Sequence, residues 1–221
     1  MKRNQKLFNY LLTAKAISDR MRIILASQSP RRKKLLQQLG FKFDVIPSSV
    51  NEDTDEKDPV LLVESLALQK ARDVSTSNSN SLIIGSDTIV VNKNKILGKP
   101  ENAIEASEML NELSGEQHFV YTGVAVLETN SQSKIIRSVN FSVATKVFFS
   151  NLDQKDIDAY IKTGSPMDKA GSYGIQDDWG ATFVEKIEGD FYNVVGLPLN
   201  RLYSELKSHF PTVIKRISLQ N

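Results

Sequence analysis

The sequence predicts an α/β fold, one unit whose sheet includes antiparallel strands. Three observations carry this. Short apolar or β-branched runs alternate with capped helical stripes along most of the chain, as strands interleaved with helices require. Two long strand-like runs, 118–128 and 134–150, face each other across a polar turn. The 221 residues are 40% hydrophobic and 24% charged, enough for one sizeable domain or one domain of two lobes.

The elements follow in order. Arg22–Ser27 reads as a short buried strand. Ser29 is an N-cap, Pro30 a first helical residue, and Leu35, Leu36 and Leu39 form an apolar stripe closed by Gly40. A second strand, Phe41–Pro47, leads into an acidic loop, Asn51–Asp58, and Asp58-Pro59 opens a helix to about Val74. Ser75–Ser81 is a polar connection. Leu82–Val91 is a β-branched run interrupted by Gly85-Ser86-Asp87-Thr88, and Asn92–Lys95 is a turn. Gly98-Lys99-Pro100 leads into a helix, Glu101–Leu113. In the following hairpin Val139, Phe141, Val143, Thr145, Val147 and Phe149 alternate, so one face is covered. Leu152–Lys162 is helical. A Gly-rich stretch, Gly164–Gly180, separates it from final strands and a C-terminal helix after Pro198. The expected organisation is an N-terminal extension over 1–20, a domain over 21–210 and a tail over 211–221. The extension is basic and modestly apolar, precedes a second methionine, Met21, and is expected to be dispensable.

Composition excludes several functions. A net charge of +2 does not provide a dedicated nucleic-acid surface, and aromatic–basic interleaving is lacking. No stretch approaches the roughly 20 apolar residues that span a bilayer. With no cysteine and two distant histidines, His118 and His209, a metal would be held by oxygen and would be a hard cation.

The chemistry concentrates in a few places. Ser27-Gln28-Ser29-Pro30-Arg31-Arg32-Lys33-Lys34 puts four cations at a helix N-terminus that is already electropositive, unfavourable by a few tenths of a kcal/mol each. A bound polyanion removes that penalty, because amides, guanidinium forks and hydroxyls then point at phosphate oxygens. A solvated basic turn is the plain alternative. Asp87, among flanking residues expected to be buried, needs a partner; a divalent cation with phosphate or a set of backbone amides would serve. Glu52 is a second candidate ligand in a loop that also suits solvated surface. Lys70 and Lys99 are candidate cations, Lys99 presented between Gly98 and Pro100. Asp168-Lys169-Ala170-Gly171-Ser172-Tyr173-Gly174-Ile175-Gln176 allows close backbone approach to a ligand. The phosphate-loop, dinucleotide and zinc-protease motifs are absent from the sequence. The residues favour metal-assisted chemistry on a phosphate ester.

Five segments in register resemble the Maf family: Leu25-Ala26-Ser27-x-Ser29-Pro30-Arg31-Arg32, Gly85-x-Asp87-Thr88, Gly98-Lys99-Pro100, Asp168 to Gln176, and Val195-Gly196-Leu197-Pro198. The resemblance covers about residues 21–209. It implies an elongated mixed β-sheet flanked by helices, two lobes around a cleft, similar to inosine triphosphate pyrophosphatases. It also implies cleavage of a nucleoside triphosphate between the α- and β-phosphates, with Mg or Mn. Gln176 after Tyr173-Gly174-Ile175 resembles the dTTP/UTP branch rather than the 7-methyl-GTP branch.

By the same resemblance Asp87 is the proton acceptor, and Arg31, Thr88 and Gln176 bear on substrate choice. Ser27, Arg31, Arg32, Lys70 and Lys99 would bind phosphate, and Glu52 would share the metal with Asp87. Ser86 departs from the usual alanine, and Asp177-Asp178-Trp179 from a shorter, more apolar turn. The implied setting is cytoplasmic, with the nucleotide as partner, no nucleic acid or membrane, and homodimerisation open. Alternative functions are turnover of another or modified nucleotide, or nucleotide-dependent regulation of cell division with vestigial hydrolysis.

Overall fold

In the computed structural model, residues 21–51, 54–176 and 178–218 are described. The chain order is β1 (Arg22–Leu25), α1 (Pro30–Gln38), β2 (Asp44–Val45), α2 (Pro59–Ser75), β3 (Ser81–Asn92), β4 (Lys95–Leu97), α3 (Ala103–Leu113), β5 (Gln117–Thr129) and β6 (Ile135–Phe149). It continues through α4 (Gln154–Lys162), short 3₁₀ turns, β7 (Val184–Glu188), α5 (Phe191–Val195), α6 (Leu199–His209) and α7 (Pro211–Ser218). Among the described residues the strands form one mixed sheet in the order β2-β1-β3-β5-β6-β7, with β4 added to β3. β1 is parallel to β2 and β3, and β3, β5 and β6 are successively antiparallel. The predicted α/β class with an antiparallel-containing sheet is the observed one.

Period-two alternation sorts the sheet residues into opposite faces. On one face Ile24, Ala26, Ile83, Ala125 and Leu127 pack on Ala67, Ala71 and Val74 of α2. On the other face two separate apolar cores lie along the same strands. Ile23, Leu25, Leu82 and Ile84 join α1, α6 and α7 in one core. Val90, Val120, Val147 and Phe149 join α3 and α4 in the second. These are the two lobes, and the cleft lies between them.

Several boundaries differ from expectation, each for a packing reason. β3 runs unbroken through Gly85-Ser86-Asp87-Thr88, because β5 pairs with every residue from Leu82 to Val91. Gly85 is a close-approach residue. A Cβ there would lie 2.3 Å from the Ala67 carbonyl, and one at Gly123 2.1 Å from the Val63 carbonyl, so the two glycines let α2 lie directly on the sheet. The second strand shrinks to Asp44–Val45, since its only strand partner among the described residues is the end of β1. The Asn92–Lys95 turn continues into β4, which the sequence reading left out. α3 starts at Ala103, because Asn102 caps it through the Ile104 and Glu105 amides. After Pro198 there are two helices; Pro211 opens the second, and Val213 is buried in the first core. The 1–20 extension lies outside the described residues.

Candidate active site

The cleft, about 600 Å³, forms where the sheet has a gap in its edge. β1 pairs with β3 only as far as Ile84, and β4 begins pairing at Val90. Between them β3 has a bare edge toward the cleft, while β5 covers its other edge. Thus Asp87, on the α2 face, and Thr88, on the opposite face, both line one cavity.

On the α2 face, the close contact at Gly85 and Gly123 places Lys70 over the strand. The Lys70 ammonium donates to Asp87 Oδ1 at 2.6 Å, and both side chains are only 12% exposed. Burying an ion pair this far is costly unless the two charges satisfy each other, as they do here.

On the opposite face, β1 delivers the chain into the N-terminus of α1. Ser29 caps it by accepting from the Arg32 amide, and Ser27 Oγ accepts from the Ser29 amide at 3.2 Å. Arg32 is held by three acceptors: the Gly196 carbonyl at 2.9 Å, Thr88 Oγ1 at 2.9 Å and Ser27 Oγ at 3.3 Å. Arg31 reaches across the cleft to the Gly-rich stretch, where it donates to Asp168 Oδ2 at 2.7 Å and to the Asp168 carbonyl at 3.1 Å. Partial burial pushes the Asp168 carboxyl up, but the hydrogen bonds from Lys169 and Arg31 outweigh that and hold it below the usual carboxylate range.

The far wall is built by the segment from Asp168 to Gln176. The Gly171 amide donates to the Gly98 carbonyl at 2.9 Å, joining this stretch to the loop that carries Lys99. Tyr173 is buried behind the wall, its hydroxyl 2.8 Å from His118 Nε2. Burial pushes His118 down to about 4 and the Tyr173 hydroxyl up, so the pair is neutral near pH 7. Gln176 is exposed at the cleft rim beside Ile175.

The structure therefore brings Ser27, Arg31, Arg32, Lys70, Asp87, Thr88, Lys99 and Gln176 to one cavity. Glu52 lies outside the described residues, as does Asp177. Sequence reasoning assigned no site role to Asp168 or Lys169. The Lys169 ammonium is buried and donates to Asp168 Oδ1 at 2.9 Å and the Ser165 carbonyl at 2.6 Å. A charged pair inside a Gly-rich loop was the available signal. The Gly196 carbonyl carried none, since a backbone acceptor is not visible in residue type.

The cavity's carboxylates, Asp87 and Asp168, stand among the cations Arg31, Arg32, Lys70, Lys99 and Lys169, and among the described residues no three His, Cys, Asp or Glu side chains cluster as a metal cage. Asp87 suits a hard cation that takes one or two carboxylates and completes its shell with other oxygens. No helix among the described residues is long and apolar enough to cross a membrane.

The fold and cleft define an α/β protein in which a cationic helix N-terminus and a lysine-paired carboxylate face one cavity. The chain belongs to the Maf-like family, whose model matches residues 22–209. It is 51% identical over 191 residues to the dTTP/UTP pyrophosphatase of Alkaliphilus metalliredigens (strain QYMF), covering 86% of this chain and 96% of that one. Proteins with the same designation from Bacillus cereus (strain AH820) and Bacillus anthracis are each 50% identical over 187 residues, or 84% of this chain and 94% of theirs.

Proposed function

We propose that this protein hydrolyses nucleoside triphosphates, dTTP and UTP foremost, to the monophosphate and diphosphate. The observation that carries the reading is the bare stretch of β3. There Asp87, paired with Lys70, faces the same cavity as Arg31 and Arg32 at the start of α1. The half-identical relatives designated dTTP/UTP pyrophosphatase support the choice of substrate.

Arg31, Arg32, Ser27 and the first amides of α1 bind the triphosphate, and Lys70 and Lys99 offset charge on the departing diphosphate. Arrival of phosphate gives Arg31 and Lys70 anionic partners that compete with Asp168 and Asp87. Water attacks the α-phosphorus in line, its proton passes to Asp87, and the bond from the α-phosphorus to the α–β bridging oxygen breaks. Asp87 with Glu52 would hold Mg or Mn, which when bound neutralises phosphate charge and lowers the pKa of a water. Gln176, with one donor and one acceptor, suits the O4/N3–H edge of thymine or uracil, with Thr88 and Arg31 also bearing on substrate choice. The active unit is residues 21–210, cytoplasmic, acting on free nucleotides without nucleic acid or membrane; homodimerisation is compatible with this reading.

The test is a panel of nucleoside triphosphates with Mg or Mn, with products resolved by ion-exchange chromatography. The expected result is dTMP or UMP plus diphosphate, with dTTP and UTP turned over fastest. Release of orthophosphate as the first product would refute the reading.

A further inference from the structure

Between the two apolar cores of the sheet face lies a band of buried polar side chains: Ser86 on β3, Thr122 on β5, Thr145 on β6 and Asn193 on α5. Polar groups here are costly unless each is hydrogen-bonded, and apolar residues would have fused the cores more simply. Asn193 shows the cost. Its amide nitrogen donates to the Val120 carbonyl and Thr145 Oγ1, both at 3.0 Å, while its buried oxygen finds no partner among the described residues.

The hydrogen bonds close a circuit around Arg32. Thr122 Oγ1 donates to the Asn193 carbonyl at 2.9 Å. A hydroxyl has one proton, and a carbonyl can only accept, so Thr122 has no proton left for Thr88. The 3.0 Å contact between Thr88 Oγ1 and Thr122 Oγ1 therefore runs from Thr88 to Thr122. That turns the lone pairs of Thr88 toward the Arg32 guanidinium, 2.9 Å away. From Asn193 the circuit continues along α5 to Gly196, whose carbonyl accepts from Ser86 at 3.2 Å and from Arg32 Nε at 2.9 Å. Neither Thr122 nor Asn193 lines the cleft.

We propose that Thr122 and Asn193 are positioning residues that orient Arg32 toward the triphosphate through the Thr88 hydroxyl and the Gly196 carbonyl. The inference rests on the reading of Arg32 as a phosphate ligand. The perturbation is Thr122→Val, which keeps the shape and removes the hydroxyl. The readouts are kcat and KM for dTTP, the inhibition constant of inorganic tripolyphosphate, and the melting temperature. Thr122→Val is expected to raise KM and the tripolyphosphate constant together by about tenfold, the worth of one hydrogen bond, with a smaller change in kcat. Thr122→Ser, which restores the hydroxyl, should return both constants toward the wild-type values. A merely structural role would lower the melting temperature without moving the two constants in parallel.

Should Thr122→Val not fold, Thr145→Val, which releases Asn193 at its other end, is expected to raise both constants severalfold. Constants within about twofold of wild type in the folded variant, beside a clear loss for Arg32→Ala, would overturn the proposal. No effect of Arg32→Ala on either constant would instead overturn the phosphate-ligand reading beneath it.

Discussion

Gly85→Ala tests how the active-site geometry is held. The added methyl would sit 2.3 Å from the Ala67 carbonyl oxygen and 2.9 Å from the Ala71 amide, both backbone atoms of α2 that cannot rotate away. Ordinary contact begins near 3.4 Å, so the helix must retreat by about 1.1 Å or the sheet must bend. Lys70 lies on α2 between those two alanines, and a retreat of that size stretches its 2.6 Å bond to Asp87 beyond hydrogen-bonding reach. Overpacking of this kind costs about 2–3 kcal/mol, or a fall in melting temperature of about 5–10 °C for a chain of this length. A displacement of about 1 Å between reacting groups costs about 10²-fold in rate, so the loss in kcat/KM should exceed what destabilisation alone produces at 25 °C. The assays are a calorimetric melt and kcat/KM for dTTP. Gly98→Ala, where a Cβ meets nothing within 4 Å, should keep the melting temperature of the wild type. A Gly85→Ala protein with unchanged melting temperature and kcat/KM would refute the close-approach account of the Lys70–Asp87 pair.

Asp87→Asn should keep the fold, because the amide oxygen can still accept from Lys70, yet lose at least about 10²-fold in kcat by single-turnover assay. Substantial turnover by the folded variant would place the base elsewhere. Gln176→Ala should reduce kcat/KM for dTTP and UTP by about 1–3 kcal/mol in transition-state terms and for CTP much less; a uniform loss would remove Gln176 from base recognition. Stability should also depend on pH through His118, whose folded pKa of about 4 lies below its ordinary 6.5. The unfolded chain binds the extra proton, so stability is full above pH 6.5 and declines as pH falls toward 4, by about 3 kcal/mol in total. Urea unfolding at pH 7 and 4.5 checks this, and a His118→Phe protein should lack that component of the slope.

Much of the site was legible locally. Ser29, Pro30 and the arginines after them announce a capped, cationic helix start, because capping and dipole effects act within one turn. The hairpin of β5 and β6 was legible because alternation with period two registers burial of one face. Gly85 illustrates the opposite case. Its residue type is equally consistent with a broken strand and with a helix pressed onto an unbroken one, and only α2, from elsewhere in the chain, separates the two. β4 was missed because three residues carry too little period to distinguish a strand from a turn.

Residue order was enough for the classes of element, the cationic start of α1 and the motifs that place the chain in its family. Each depends on interactions between residues close along the chain. The folded arrangement was needed to learn that β1 stops at Ile84 and β4 starts at Val90, which opens the edge of β3 to the cleft. It alone paired Arg31 with Asp168, which lie 137 positions apart, and closed the polar circuit from Arg32 through Thr122 and Asn193. These contacts follow from where α1, α5 and the Gly-rich stretch come to rest on the sheet. That resting place is set by close packing between distant segments, which residue types in linear order do not encode locally.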